Sequence, residues 1–171
     1  MSDIILETER LFLRQVNDGD LQALLDLFGD PESMKYFPAV LDKQGVIEWI
    51  NMVKSCYKKD GFGFYTLLRK EDSKIIGYCG PILQTDVDGV DEIEVGYALI
   101  KSYCHNGYAT EAARECIRYG FNVLKAQRII SLIRPENKPS IRVAQRNAMK
   151  WEKDVFRWGY THGVYVTESI S

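Results

Sequence analysis

The chain has 171 residues, with 22 Lys and Arg against 24 Asp and Glu, which gives a formal net charge of −2. This length is close to that of one domain, and we expect a single domain over residues 1–171. A composition of 46% hydrophobic and 27% charged residues excludes a wholly disordered chain. The charge balance lacks the basic excess of proteins that bind nucleic acid or anionic membranes non-specifically, so neither partner is expected, although a local basic pocket is compatible with it.

The cysteines and the apolar segments exclude several classes of protein. The four cysteines form no CxxC pair and only two histidines are present, so neither a zinc site nor a thioredoxin-type motif is predicted, and we expect no metal. No segment approaches the ~18 consecutive apolar residues of a membrane span. The apolar stretch near the N-terminus is too short for the hydrophobic region of a secretory signal. We therefore expect a cytoplasmic protein with reduced thiols.

The first third of the chain predicts one strand and two helices. The side chains of residues 5–16 alternate between two faces, which predicts a strand. Residues 17–20 then supply a turn and an N-cap for a helix that ends at residues 29–31. Asp42 can cap a second helix, whose apolar residues recur at helical spacing. They are Val46, Ile50, Val53 and Tyr57.

The middle of the chain predicts a sheet. Residues 62–68 and 74–83 flank a polar turn and predict an antiparallel hairpin. From Glu92 the residues alternate, with Glu92, Glu94 and Gly96 facing one way and Ile93, Val95, Tyr97 and Leu99 the other.

The last third predicts two more helices and three strands. Small and apolar residues from 109 to 124 recur every three or four positions as in a helix, and residues 128–133 follow as a strand. Asn137 can cap a fourth helix, and residues 151–158 and 163–168 can close the fold as an antiparallel pair. The strand, helix and strand between residues 92 and 133 predict a right-handed parallel crossover. The fold class is therefore α/β, with a mixed, mostly antiparallel central sheet and about four flanking helices.

The segment LIKSYCHNGYATEA, residues 99–112, is the strongest chemical feature. A strand leads through a short loop with one glycine into a helix, and the free N–H groups of a helix N-terminus attract anions. Lys101 and His105 can add positive charge there. The same pattern is compatible with a plain helix start. No P-loop and no GxGxxG after a strand are present, which argues against a nucleotide–magnesium site.

Four stretches in order carry a resemblance that spans almost the whole chain. They are TERLFLR at residues 8–14, IIGYCG at 75–80, EVGYAL with NGYATEAA between 94 and 113, and RPENKPSIRV at 134–143. The sequence resembles GNAT-superfamily N-acetyltransferases of the ribosomal-protein N-terminal acetyltransferase (Rim-type) branch. The resemblance implies the GNAT fold and direct transfer of an acetyl group from acetyl-CoA to a primary amine.

The resemblance places the cofactor along the strand end and the loop. It implies that the family's R/Q-x-x-G-x-G/A loop falls on residues 104–109 and holds the CoA pyrophosphate through backbone amides. The implied cofactor-binding residues are Leu99, Ile100, Lys101, Cys104, His105, Asn106, Gly107, Tyr108, Ala109, Thr110 and Asn137. Cys104 departs from the family's usual Arg, Gln or Trp, and Ala144 stands where many members have a catalytic tyrosine.

The resemblance also suggests the catalytic groups. An amine must lose a proton before it attacks a thioester, and Glu94 is the candidate base, directly or through water, with Glu92 in reserve. Ser140 is the candidate proton donor to the departing thiolate. The alternatives are a solvated or ion-paired Glu94 and a Ser140 that only caps its helix. Cys104 has no histidine in a suitable pattern, which argues against a covalent mechanism.

The acceptor and the oligomeric state stay open at this stage. The branch implies a protein N-terminal α-amine, and the alternatives are a small-molecule amine (a polyamine or an antibiotic) or a non-catalytic acyl-CoA sensor. A wide acidic groove would favour a basic peptide, and a closed aromatic pocket that includes Tyr36, Phe37 or Trp49 would favour a small molecule. We expect a monomer or a homodimer.

Overall fold

The computed structural model describes residues 3–170, and an eight-stranded mixed sheet forms its centre. In chain order the strands are β1 (Ile4–Glu7), β2 (Leu11–Gln15), β3 (Tyr65–Arg69), β4 (Ile75–Val87), β5 (Val90–Leu99), β6 (Arg128–Ile133), β7 (Lys150–Arg157) and β8 (Tyr160–Glu168). Their order across the sheet is β1-β2-β3-β4-β5-β6-β8-β7. Every neighbouring pair is antiparallel except β5 and β6, which confirms the mixed α/β class.

Within residues 3–170, four α-helices flank this sheet: α1 (Leu21–Phe28), α2 (Lys43–Asp60), α3 (Tyr108–Asn122) and α4 (Lys138–Arg146). The Asp42 side chain caps α2 by accepting from the N–H of Gly45 at 2.8 Å, as the sequence predicts. Asn137 caps α4 in the same way, since its Oδ1 accepts from the Ser140 N–H at 3.3 Å. These two predicted caps are confirmed, whereas the N-cap expected within residues 17–20 is Asn17, which caps a short 3-10 turn before α1 rather than α1 itself.

The expectation of one strand over residues 5–16 is wrong. The structure divides this segment into β1 and β2, which pair antiparallel around a tight turn. The backbone N–H of Thr8 donates to Leu11 O at 2.9 Å, and the N–H of Leu11 donates to the Thr8 hydroxyl at 3.0 Å. A threonine hydroxyl that bonds to the nearby backbone stabilises turns, and this signal was available in the sequence.

The sheet has two faces with separate cores. Val95, Tyr97 and Leu99 of β5 face α3 and α4, where a large apolar cluster includes Leu11, Leu67 and other buried residues. The opposite face packs against α1 and α2 through a second cluster, which includes Leu24, Val46, Ile50 and Tyr78. The alternation predicted for β5 is therefore confirmed.

The join between β5 and β6 is short. Its register contains one Cα pair, Glu94 with Ile130, although both strands continue beyond it. Beyond this pair, hydrogen bonds that involve side chains connect the two strands. The Ser131 hydroxyl donates to Val95 O at 2.7 Å, and the Leu132 N–H donates to the Glu94 carboxylate at 2.9 Å. Backbone groups that a longer ladder would pair are thus satisfied by side chains. Among the described residues, none of the helices is long and apolar enough to cross a membrane.

Candidate functional site

A cleft of about 1560 Å³ follows the end of β5 and the open junction with β6. One end is lined by the loop before α3, and the other by aromatic side chains of the α1–α2 side. Of the residues that the sequence analysis assigns to the cofactor, the cleft is lined by Leu99, Lys101, Cys104, His105, Asn106, Gly107, Tyr108, Ala109, Thr110 and Asn137. Ile100 is the exception. Its side chain packs against the α1–α2 cluster and its N–H donates to Ile76 O at 2.8 Å.

The loop before α3 presents free backbone donors. Gly107 precedes the helix with a left-handed φ of 82°, and no side chain in the described part of the chain caps the helix there. The first backbone bond of α3 is from the Glu111 N–H to Gly107 O, so the N–H groups of residues 105–110 have no acceptor in the described part of the chain. Such a row of donors at a positive helix end is an anion-binding arrangement.

Thr110 adds a polar atom without a partner. Its Oγ1 is buried in the first turn of α3 and makes no hydrogen bond within residues 3–170. A buried hydroxyl usually has a partner, because leaving it unpaired costs about 1–3 kcal/mol. Thr110 lines the cleft together with the residues whose N–H groups are free.

The positive charges of the loop are not where the sequence analysis puts them. Lys101 forms an exposed ion pair with Glu32 at 2.6 Å, which joins this loop to the segment between α1 and α2. His105 is exposed with a left-handed φ of 66°. Arg10 supplies a further cation, and sequence reasoning missed it although it lies in the TERLFLR motif. It lines the cleft, and its Nη1 donates to Asn106 O at 2.9 Å.

Glu94 lies in the cleft wall and is buried, with an exposure of 7%. The Leu132 N–H and the Gln84 amide each donate to its carboxylate at 2.9 Å. Burial raises the pKa of Glu94, and these two hydrogen bonds and the charge of Arg157 oppose the shift. The expected alternatives, a solvated or ion-paired carboxylate, are both wrong, because its partners are neutral and it is buried.

Glu92, the reserve candidate, serves a structural role. Both of its carboxylate oxygens accept from Arg128 Nε at 3.0 Å, and Arg128 also pairs with Glu152. Glu92 does not line the cleft. Glu94 is therefore the better placed of the two carboxylates.

Asn137 and Ser140 lie at the start of α4 on the cleft wall. The Asn137 carbonyl oxygen is engaged as the helix cap. The Ser140 hydroxyl has no hydrogen-bond partner within the described chain, whereas its backbone oxygen accepts from the Tyr97 hydroxyl at 3.0 Å. Cys104 lies in the same cleft, and burial raises the pKa of its thiol, so it is not an activated thiolate.

An aromatic wall, formed by Phe28, Trp49, Phe64 and Tyr78, lines the other end of the cleft. The rings of Trp49 and Phe64 stack with centroids 5.9 Å apart, and Tyr78 meets Phe64 edge-on at 4.8 Å. A Cβ at Gly96 would lie 3.1 Å from the Phe64 ring and 3.9 Å from Glu94 Cδ. Gly96 therefore leaves room between the aromatic wall and the Glu94 carboxylate.

His162 is a further cleft residue, and sequence reasoning missed it. It is 6% exposed and its Nδ1 lies 3.0 Å from Tyr160 O. A carbonyl oxygen only accepts, so neutral His162 carries its proton on Nδ1. Burial lowers the pKa of this imidazole, and the nearby Arg134 and Arg157 lower it further. Only its place in the cleft wall revealed it, since nothing in the local sequence marks His162.

The comparisons with known proteins agree with this architecture. The family described as the acetyltransferase (GNAT) domain matches residues 10–150. The chain belongs to the GNAT acetyltransferase family. The protein YkkB of Bacillus subtilis is 35% identical over 97% of this chain and 96% of its own. The N-acetyltransferase p20 of Bacillus licheniformis is 31% identical over 87% of this chain and 83% of its own.

Solved structures give the same fold. An acetyltransferase from Agrobacterium tumefaciens superposes with a TM-score of 0.85, at 24% identity, over 99% of this chain and 96% of that one. RimL, a ribosomal L7/L12 α-N-protein acetyltransferase solved with coenzyme A, superposes with a TM-score of 0.77, at 16% identity, over 97% and 98%. The GNAT family membership and the named relatives make this chain an acetyl-CoA-dependent N-acetyltransferase. In residues 3–170 no three His, Cys, Asp or Glu side chains are grouped to hold a metal ion.

Proposed function

We propose that this GNAT enzyme acetylates the primary amine of a small molecule with an apolar body, and that Glu94 accepts the amine proton. The observation that carries the proposal is the position of the Glu94 carboxylate beside the aromatic wall. We include in this proposal a single acetyltransferase domain over residues 1–171 and a cytoplasmic location, which fits the unpaired thiols of its cysteines.

The loop before α3 fits the phosphates of acetyl-CoA. Its free N–H groups and the orphaned Thr110 hydroxyl are donors without acceptors, and a pyrophosphate supplies acceptors. Residues 104–110 would hold that group, and Leu99 and Asn137 would line the path toward the β5–β6 junction. When bound, acetyl-CoA supplies the acetyl thioester that the amine attacks.

The proposed role of Glu94 is to accept a proton from the acceptor amine before the amine attacks the thioester. A primary amine is mostly protonated at neutral pH, with a pKa of about 8–10, and is not nucleophilic in that form. A carboxyl whose pKa is raised is a better base at neutral pH than an ordinary one. The bonds from Leu132 and Gln84 fix the carboxylate in place, so the proton moves from the amine to a preoriented oxygen, directly or through water.

Ser140 is the proposed donor to the departing thiolate, and its hydroxyl regains a proton from the amine nitrogen, which must lose one as the amide forms. Its hydroxyl lines the cleft at the start of α4 and has no partner among the described residues. Tyr97 holds the Ser140 backbone through the bond to its carbonyl oxygen, which positions the hydroxyl. Ala144, at the position of the family's usual tyrosine, is buried and cannot donate a proton.

The lining of the acceptor end supports a small molecule with an apolar body. Tyr36, Phe37 and Trp49 all line the cleft, which meets the aromatic part of the condition expected for a small molecule, whereas the cleft is open rather than closed. Of the carboxylates in the cleft wall, Glu32 pairs with Lys101 and Glu111 with Arg10. Among the described residues this leaves buried Glu94 and exposed Glu9 without an ion pair, which is not a wide acidic groove. One buried carboxylate among aromatic rings suits one ammonium group on an apolar body better than a polyamine.

A protein N-terminal α-amine, as in the Rim-type branch, is the second candidate. The fold similarity to RimL and the size of the cleft favour it. A short uncharged peptide terminus would also meet the single carboxylate. The two candidates differ in whether the residues after the amine contribute to binding.

The test is thiol release from acetyl-CoA with three acceptor groups: arylalkylamines, polyamines and N-terminal peptides. We expect arylalkylamines to have the highest kcat/KM, and Trp49→Ala to lower it about tenfold, mainly through KM, since an aromatic contact is lost. Trp151→Ala is the matched control, because Trp151 is 57% exposed on β7, outside the cleft. Higher kcat/KM on peptides would replace the proposal with the Rim-type function.

The catalytic part is tested with Glu94→Gln. We expect kcat to fall about 10²- to 10⁴-fold, and the residual rate to rise with pH as free amine forms. Unchanged turnover between pH 6 and 9 would remove Glu94 from the mechanism. Binding of CoA without turnover on any acceptor would instead identify a non-catalytic acyl-CoA sensor.

A further inference from the structure

Arg10, in the turn between β1 and β2, is held against the loop before α3 by an unusually complete set of contacts. Its Nε pairs with Glu111 Oε1 at 2.7 Å, and its backbone N–H donates to Glu111 Oε2 at 2.9 Å. The Thr8 hydroxyl donates to the same Oε2 at 2.5 Å. The guanidinium carbon lies 4.3 Å from the centre of the Tyr108 ring. These bonds fix the side chain in one orientation.

That orientation leaves one nitrogen free at the loop. Nε is engaged by Glu111 and Nη1 by Asn106 O, whereas Nη2 has no acceptor in the described part of the chain. Nη2 lies 3.3 Å from the point where a Cβ of Gly107 would be. It is therefore next to the backbone donors of residues 105–110, and the side chain lines the cleft with 41% of its surface exposed.

We propose that Arg10 binds the pyrophosphate of CoA directly through Nη2, as the cation of a site whose other donors are backbone N–H groups. This inference rests on the proposed cofactor site. Cys104 supplies no charge in this loop, and Lys101 points to Glu32 in an exposed ion pair. Arg10 is also paired, with Glu111, but its Nη2 stays free next to the backbone donors of the loop. Glu111 and Thr8 act through Arg10 as positioning residues. Arginine suits this role because its planar fork can bond to the protein and to a phosphate at once.

The experiment is calorimetric titration with three probes that contain different phosphates. CoA has the pyrophosphate and a 3′-phosphate, dephospho-CoA retains only the pyrophosphate, and pantetheine has neither. We expect Arg10→Gln to weaken binding of CoA and dephospho-CoA alike by about 10- to 100-fold, and to leave pantetheine binding unchanged. Arg10→Lys keeps the charge without the fork, so its loss should be smaller.

Two further variants separate direct binding from an effect on the loop. Glu111→Gln removes the partner charge but keeps the guanidinium, and we expect it to weaken CoA binding less than Arg10→Gln does. Arg118→Gln breaks the exposed pair of α3 with Glu115 and should leave CoA affinity unchanged. Urea unfolding of each variant shows that it is folded at the titration temperature.

The outcomes are distinguishable. Equal CoA affinity in wild type and Arg10→Gln overturns the proposal, and so does an equal loss in Glu111→Gln and Arg10→Gln. A loss with CoA that disappears with dephospho-CoA contradicts the pyrophosphate assignment. If the wild-type protein binds none of the probes, the proposed cofactor site itself fails.

Discussion

At the scale of single residues, Glu94 combines a useful position with a stability cost. Burial raises the pKa of its carboxyl, so the folded state binds this proton more tightly than the unfolded chain. The free energy of unfolding then falls as pH rises from the unfolded pKa of about 4.3 toward the folded value. Functional sites often carry perturbed groups of this kind.

We therefore expect Glu94→Gln to be at least as stable as the wild type at neutral pH, although it loses activity. The stability difference should grow as pH rises above about 4.3, because only the wild type has a buried carboxyl to ionise. Urea unfolding between pH 4.5 and 8 measures it. Glu48→Gln, at an exposed position of α2, is the control and should follow the wild-type curve. A constant difference across this range would contradict the pKa direction.

At the scale of elements, the caps of α2 and α4 offer a matched pair. Asp42 and Asn137 each accept from a backbone N–H three residues later. Asn137 lines the cleft, whereas Asp42 does not. Both residues therefore cap a helix, but only Asn137 can also contact a ligand in the cleft.

We expect Asn137→Ala and Asp42→Ala each to lower the free energy of unfolding by about 1 kcal/mol, as the loss of an N-cap does. Only Asn137→Ala should raise the KM for acetyl-CoA. Urea unfolding and steady-state kinetics on both variants check this. Equal KM values in the two variants would show that Asn137 is a cap alone.

At the scale of the whole molecule, the β5–β6 junction joins the two parts of the sheet and opens the cleft. One Cα pair and two side-chain bridges connect the strands there. Ser131 is buried, and its hydroxyl donates a hydrogen bond to the backbone carbonyl oxygen of Val95. The side chain thus supplies the donor that a paired strand would otherwise supply. Its loss would leave a buried polar group without a partner.

We expect Ser131→Ala to lower the free energy of unfolding by about 1–3 kcal/mol. Ser55→Ala is the control, because the Ser55 hydroxyl bonds to Met52 O on the exposed side of α2 and its loss should change stability by about 0.5 kcal/mol or less. Urea unfolding at neutral pH measures both. Equal effects would show that the junction does not depend on this bridge.

The fold class, the four helices, the caps of α2 and α4 and the loop before α3 could all be predicted from the amino-acid sequence. These features depend on periodicity and on contacts within a few residues, which local sequence records. It also determined Glu94 as the candidate base through the family resemblance. Thr8 indicates the tight turn between β1 and β2. The apolar and polar residues keep alternating through residues 5–16, however, and this pattern favours one continuous strand.

Which of these residues can act together became clear from the three-dimensional arrangement of the strands and helices. Glu92 and Glu94 lie on one strand face, yet Arg128, 36 positions beyond Glu92, neutralises only the first. Arg10 reaches the loop before α3 across about a hundred residues, and His162 enters the cleft wall from β8. Such pairings depend on strand order and on burial, which change the pKa and the partner of a side chain without leaving a local signal. The acceptor end of the cleft, with its aromatic wall beside one buried carboxylate, was decided in the same way.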